Sequence, residues 1–265
     1  MLDVEFTQLS DTGRTRDHNE DYLGYVLPYT PAQLRSHGCV FVLADGVGGQ
    51  QKGEVASQLA VETVLAGFSA AKSGESHKAL LSRLVQNANL KVYEQGQASR
   101  TSAGMATTIV ACALRTDRAT IAHVGDSRCY LVREGRARQI TRDHSIAAEQ
   151  VRMGILSASE AAESANRHLL SRSVGNDLVV NVEIDEVQVQ KGDVLLQCSD
   201  GLHNSVLPED IVAVIDRVGS LSIAVERLVE LANQRDGGDN ISVQLVRVHE
   251  VERTGMYRGR PYKLR

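Results

Sequence analysis

A chain of 265 residues with 42% hydrophobic content is long enough to bury the core of one large domain or two small ones. A net charge of −4 and a pI near 6.1 give no general reason to expect nucleic acid as a partner. No apolar run approaches the ~18–20 residues that span a bilayer, and no signal-peptide pattern opens the chain, so a cytoplasmic protein is expected.

In chain order, alternation and β-branched content predict strands over 3–9, 21–27 and 39–44. Helical periodicity follows over 54–71 (Val55, Leu59, Val64, Leu65, Phe68) and 77–96 (Leu80, Leu84, Val85, Ala88, Tyr93). Strands are predicted again over 105–114, 118–124, 128–133 and 193–198. Helices over 208–217, opening at Pro208, and 221–234 then precede a last strand over 240–248. Strands that come in runs argue for antiparallel sheets with helices packed outside them, an α+β class. Residues 145–175 carry small residues and little apolar periodicity, and are expected to form a mobile flap outside the main core. A domain over 1–250 is followed by a tail over 251–265. There Arg253, Arg258, Arg260, Lys263 and Arg265 against Glu252 give a local +4, leaving about −8 on the rest. That tail reads as a solvated extension, or as a docking element for an acidic partner. Cys39, Cys112, Cys129 and Cys198 lie in apolar, strand-like surroundings without a C-x-x-C pair, and read as reduced core residues.

The stretch "VLADGVGGQQKGEVASQLA", residues 42–60, ends an apolar run in one acid, Asp45, and follows it with Gly46, Val47, Gly48 and Gly49. Four other places resemble it. "RTRDHNED" contributes Glu20 and Asp21 before the second strand, and "AHVGDSRCY" places Asp126 after an apolar strand and a glycine. "VLLQCSDGLHN" sets Asp200 likewise, and "GGDNISVQLV" puts Asp239 behind two glycines at the last strand. Turns favour Asp and Gly together, so one such acid alone is more often structural. Five strand-end sites without interleaved basic residues point elsewhere. If the strand ends meet, the carboxylates repel one another and their pKa values rise.

A hard divalent cation removes that repulsion, and Mg²⁺ or Mn²⁺ needs few protein carboxylates because it keeps several waters. Glycine beside a ligand admits backbone carbonyls and waters, so Asp45 is expected to ligate a metal and Gly46 to offer its carbonyl. Phosphate-ester hydrolysis suits such a cluster, since two metals roughly 3.5–4 Å apart can hold a hydroxide and clamp the phosphoryl oxygens. Arg16, four residues before Glu20, is the candidate for binding the phosphate by its planar fork.

The ordered set "RDHNED", "LADGVGG", "AGMATTIV", "AHVGDSR", "ITRDHS", "LLQCSDGL" and "GGDNISV" resembles the metal-dependent serine/threonine protein phosphatases of the PP2C type, especially the compact bacterial members. The resemblance implies an α-β-β-α sandwich: two antiparallel sheets flanked by helix pairs, with the metal site at one edge. It implies two core ions, Mn²⁺ or Mg²⁺, and a weaker third. Asp45 would bridge the core pair, with the Gly46 carbonyl on one ion and Asp200 and Asp239 completing the other. Glu20 and Asp21 would support the centre through water, Asp126 would hold the third ion, and Arg16 would bind phosphate. A metal-bridging hydroxide would then attack phosphoserine or phosphothreonine in proteins, opposing a serine/threonine kinase, and the chain is expected to be a monomer.

Two departures from the family pattern stand out. Val47 occupies the place of a histidine that protonates the leaving alkoxide in animal members, which shifts that task to a water on the third metal. Asn204 stands where some members have a further acid for that metal. Arg172 in "SRSVGND" is a candidate to meet substrate from the flap, His144 reads as a structural histidine, Asn240 as a partner orienting Asp239, and Thr107 and Thr108 as strand packing. A fold retained without its metals would lack a ligand, and Asp45, Asp200 and Asp239 are all present. A nuclease would favour a basic cleft, against the acidic body.

Overall fold

The computed structural model describes residues 1–47, 52–98, 104–252, 254–257 and 260–263, the last two spans as backbone alone. Gly48 and Gly49 of the glycine turn, Ala103, and the side chains of the basic tail lie outside the described residues.

Strands β1 (Asp3–Asp11) and β2 (Asp21–Val26) are followed by a short helix, α1 (Pro31–Ser36). Strand β3 (Cys39–Val47) leads into the long helices α2 (Lys52–Ser69) and α3 (His77–Ala98). Next come β4 (Ala106–Thr107), β5 (Ile109–Arg115), β6 (Arg118–Val124), β7 (Arg128–Arg133) and β8 (Arg136–Gln139). Two short helices, α4 (Ile146–Arg152) and α5 (Ala158–Glu163), occupy the flap. The chain returns through β9 (Glu183–Gln188), β10 (Val194–Cys198), α6 (Asp200–His203), α7 (Pro208–Arg217), α8 (Leu221–Arg235) and β11 (Ile241–Glu250). In the tail, β12 (Thr254–Tyr257) and β13 (Arg260–Lys263) pair as an antiparallel hairpin, where the sequence suggested a solvated extension or a docking element without regular structure.

Two antiparallel sheets form, in the orders β1-β11-β10-β7-β8 and β2-β3-β5-β6-β9, with β4 beside β3. Strand β3 shows why its sequence is apolar without alternation. Val40, Val42 and Ala44 face α2 and α3, while Cys39, Phe41 and Leu43 face the second sheet, so both faces are buried. On α2 the buried face is Ala56, Ala60, Val61, Val64 and Phe68; Val55, expected inside, is exposed. Helices α7 and α8 cover the other sheet through Ile211, Ile215, Leu221, Val225 and Leu228. The result is helix pair, sheet, sheet, helix pair, as expected.

The face between the sheets changes character along its length. Strand β3 presents Cys39, Phe41, Leu43 and then Asp45, while β11 runs back through Val248, Val246, Gln244 and Ser242. Gln244 is fully buried, donates to Gln8 Oε1 at 2.7 Å and accepts from Gln197 Nε2 at 2.8 Å, bridging three neighbouring strands. Ser10 and Ser242 meet at 2.7 Å one step nearer the acids. An apolar core thus passes through a band of neutral hydrogen bonds before it reaches charge, which spares the carboxylates a wholly apolar contact.

Phe41 anchors the apolar end of this interface, in ring contact with Phe6 and Tyr25. Phe41→Ala should cost ~3–5 kcal/mol in urea unfolding; a loss under about 1 kcal/mol would mean the sheets are held together elsewhere.

Candidate active site

The acids predicted from the motifs come together at the polar end of the sandwich. Asp21, opening β2, lies directly opposite Asp45 on β3, and Asp200 begins α6 just beyond β10. Asp239 precedes β11, and Asp126 follows Gly125 at the end of β6. Backbone contact shapes the cradle. A Cβ on Gly46 would lie 2.2 Å from the Gly53 carbonyl oxygen, and one on Gly53 would lie 2.8 Å from the Glu20 carboxyl. Gly46 therefore excludes any side chain, and a side chain at Gly53 would displace the Glu20 carboxyl, so these glycines let the start of α2 close on Glu20.

Burial and mutual repulsion dominate the electrostatics. The Asp45 carboxyl is pushed well above its ordinary range by burial and then by the charges of Asp21, Asp200, Asp126 and Asp239. Burial, with Asp200 as a neighbour, carries Asp21 and Asp126 each up to about 7. Asp239 and Glu20 are raised for the same reasons, each eased by Arg16. Asp200 differs: burial opposes its charge, but His168, His203 and Asn204 hold its carboxyl low. Among the described residues, Glu20 Oε1 and Asp21 Oδ1 are buried and have no hydrogen-bond partner. Unmet carboxylate oxygens, repelling charges and hard oxygen donors together fit a divalent cation.

Small polar residues that the motifs hid among strands and turns hold these acids in place. Thr108 interrupts the predicted strand 105–114, splitting it into β4 and β5. Its hydroxyl accepts from the Asp45 amide at 3.0 Å, its own amide donates to the Asp45 carbonyl at 2.8 Å, and Thr107 Oγ1 donates there at 2.7 Å. The two threonines therefore position Asp45 in addition to packing the strand. Ser199 donates to Asp21 Oδ2 at 2.8 Å. Asn240 does more than expected. Its amide donates to Asp239 Oδ1, its side-chain oxygen accepts from the Glu20 amide, and its side-chain nitrogen donates to the carbonyls of Thr12 and His18, all at 2.8–2.9 Å.

Arg16 Nη2 donates to Asp239 Oδ2 at 2.8 Å, at the rim of the cluster. Asn204, in the place of a possible further acid, donates to Asp200 Oδ2 at 3.2 Å. The flap leans on the site, with His168 Nδ1 3.8 Å from Asp200 Oδ2. Arg172 sits at the base of the flap, donating to the Asn181 carbonyl at 3.1 Å, with Nη1 3.0 Å from His144 Nε2. The "GDSR" and "RDHS" motifs are two halves of one structure, because Arg128 grips Asp143 through Nε and Nη2 at 2.7–3.1 Å. Val47 is exposed and borders a small cleft of about 240 Å³, whereas a groove of about 790 Å³ between α2 and α3 contains none of the clustered acids. The sequence also holds a Cys-x5-Arg spacing, Cys112 to Arg118, but Cys112 is buried between the sheets with its thiol pushed far up, so it forms no nucleophile loop.

Carboxyls that hold their protons more tightly when folded weaken the fold as pH rises from their ordinary value of 3.8 towards about 7. The metal-free protein should therefore lose thermal stability over that range, by on the order of a few kcal/mol, and Mn²⁺ at pH 8 should restore it. A Tm that stays flat with pH in the presence of a chelator would contradict the repulsion.

Comparison with known proteins agrees with this geometry. The family model of Protein phosphatase 2C matches residues 14–234. The serine/threonine phosphatase stp of Listeria welshimeri is 34% identical over 254 residues, which cover 95% of this chain and 96% of that protein. The solved serine/threonine phosphatase of S. agalactiae superposes with a TM-score of 0.86 at 33% identity, covering 93% of this chain and all of that one. The catalytic domain of the serine/threonine protein phosphatase PstP, solved with two manganese ions, gives 0.80 at 30% identity over 94% of this chain and 100% of its own. With the acids gathered at the sheet edge and likeness over nearly its whole length, the chain belongs to the protein phosphatase 2C family of serine/threonine phosphatases.

Proposed function

We propose that this protein serine/threonine phosphatase works with two divalent cations held by Asp45, the Gly46 carbonyl, Asp200 and Asp239, with Glu20 and Asp21 behind them. The observation that carries the reading is the pair of buried, unpartnered carboxylate oxygens on Glu20 and Asp21, set among acids that repel one another. Bound cations supply charge for the phosphoryl oxygens and acidify the attacking water. Asp126, whose carbonyl accepts from His203 Nε2 at 3.0 Å, is assigned to a third and weaker ion. The manganese-containing relative favours Mn²⁺ over Mg²⁺ as the first ion to test.

Around that centre the chain's own groups bind and orient. Arg16 spends its guanidinium on Asp239, and that carboxylate is a proposed ligand. A cation there leaves the planar fork free to take the phosphate in two hydrogen bonds. Arg172 belongs to the substrate side only as part of the flap base, and Val47 offers no proton to the departing alkoxide. The attacking water displaces the serine or threonine oxygen in line, with no covalent intermediate on the protein. Phosphoproteins are the substrates, and a serine/threonine kinase of the same cytoplasm is the proposed counterpart of a monomeric enzyme. Among the described residues no helix is long and apolar enough to cross a membrane.

Asp45→Ala and Asp239→Ala should each abolish nearly all Mn²⁺-dependent hydrolysis of a phosphothreonine peptide and weaken Mn²⁺ binding by titration calorimetry. Full activity in either variant would overturn the ligand assignment. Arg16→Ala should raise KM for the phosphopeptide by about 10–150-fold, the loss of a charge-assisted contact worth ~1.5–3 kcal/mol. Its Mn²⁺ affinity should not fall, because the guanidinium competes with the cation for Asp239. Unchanged KM would return Arg16 to the role of a surface arginine.

A further inference from the structure

Outside the acid cluster, His123, His144 and Glu183 bring one donor atom each within 4.8 Å of one another. Hydrogen bonding decides what that cluster is. The Gly125 amide donates to His144 Nδ1 at 3.1 Å, so Nδ1 is an acceptor and carries no proton. A neutral imidazole then bears its proton on Nε2, which faces Glu183 Oε2 at 3.2 Å. Burial, which pushes His144 down to about 4, agrees with a neutral ring. A cation on Nε2 would require an imidazolate, with both nitrogens stripped of protons. Arg172 Nη1 cannot donate to Nε2 either, since a neutral ring has one acceptor and Gly125 has taken it. The cluster is a hydrogen-bond relay.

We infer that His144 is a positioning residue, held in its Nε2–H tautomer only while the Gly125 amide on one side and Glu183 on the other act together, which ties the base of the flap to the turn carrying Asp126. Its main chain does the same work on both sides. The His144 amide donates to the Gly125 carbonyl at 3.0 Å, and the His144 carbonyl accepts from Ser171 at 2.9 Å. The His123 ring lies parallel to it, within 9° at 4.8 Å between centroids, and the Arg142 main chain bonds to His123 Nε2. Gly125 has φ +105°, and a Cβ there would lie 2.6 Å from the Thr108 side chain, which accepts from the Asp45 amide. A rotation of the His144 ring therefore reaches Asp126 through one residue and Asp45 through two.

Glu183→Gln keeps an acceptor for Nε2–H and removes only charge, whereas Glu183→Leu removes the acceptor. Long-range ¹H–¹⁵N NMR of the metal-free full chain should show Nδ1 unprotonated and Nε2 protonated in the wild type and E183Q, with that pattern lost or mixed in E183L. With Mn²⁺, E183Q should turn over a phosphothreonine peptide within about twofold of the wild type, and E183L should fall roughly tenfold in kcat with KM little changed. The effect on turnover rests on Asp126 acting as the ligand proposed above; the tautomer does not. A proton on Nδ1 in the wild type or in E183Q overturns the inference, as does an E183L protein with an unchanged tautomer or an unchanged kcat. The wild-type and E183Q spectra decide the matter even where E183L does not fold.

Discussion

Like charges taken out of water repel, and here Asp21, Asp45, Asp126, Asp200 and Asp239 are drawn together with few cationic neighbours to offset them. Arg16 answers Asp239 at the rim, and His168 and His203 lower Asp200. The strongest influences on Asp45 among the described residues, burial and then Asp21, Asp200, Asp126 and Asp239, all raise its carboxyl. The fold has to hold this cluster against its own repulsion, and much of the surrounding structure can be understood as the means of doing so.

Those means are backbone contacts and neutral hydrogen bonds. Asp45 is gripped on both sides of its peptide by Thr107 and Thr108, Asp21 by Ser199, and the loop bearing Glu20 by Asn240. None of these partners adds charge, so the carboxylates stay available to a cation while their main chains cannot retreat. The Gln8–Gln244–Gln197 bridge extends the same principle inwards, as a step between a Phe41-centred apolar core and the acids. Such a network is costly when only partly satisfied, and among the described residues Gln197 Oε1 is the atom of this bridge left buried without a partner.

The central strands and long helices were legible in the sequence because burial on one or both faces leaves a strong apolar pattern, as in Cys39–Ala44 and Leu80–Val92. Edge elements were not. Strand β8 reads Arg-Ala-Arg-Gln and β9 is largely polar, since an edge strand packed on one side needs few apolar residues. Helices α1, α4 and α5 are too short for periodicity to register, though Thr30 and Ser157 each complete a capping box. All five acidic sites were visible as Asp or Glu at strand ends, four of them beside a glycine. Their supports were not, because Thr108, Ser199 and Asn240 are small polar residues that look the same on a surface as beneath a ligand. Only the partner each one meets, far away in sequence, gives it a role.

The four cysteines, all free and all buried, have a consequence for how such an enzyme behaves under oxidative stress. Burial pushes the Cys39 thiol up to about 12 and raises Cys198 as well, so little reactive thiolate exists to meet peroxide. The proposed metal centre, built from oxygen donors, includes no sulfur among the described residues either. Hydrolases that attack through a thiolate are silenced by mild oxidants, whereas this chain has its thiols shut inside and its chemistry assigned to carboxylates. Dephosphorylation of serine and threonine can then continue in conditions that stop thiol-dependent signalling.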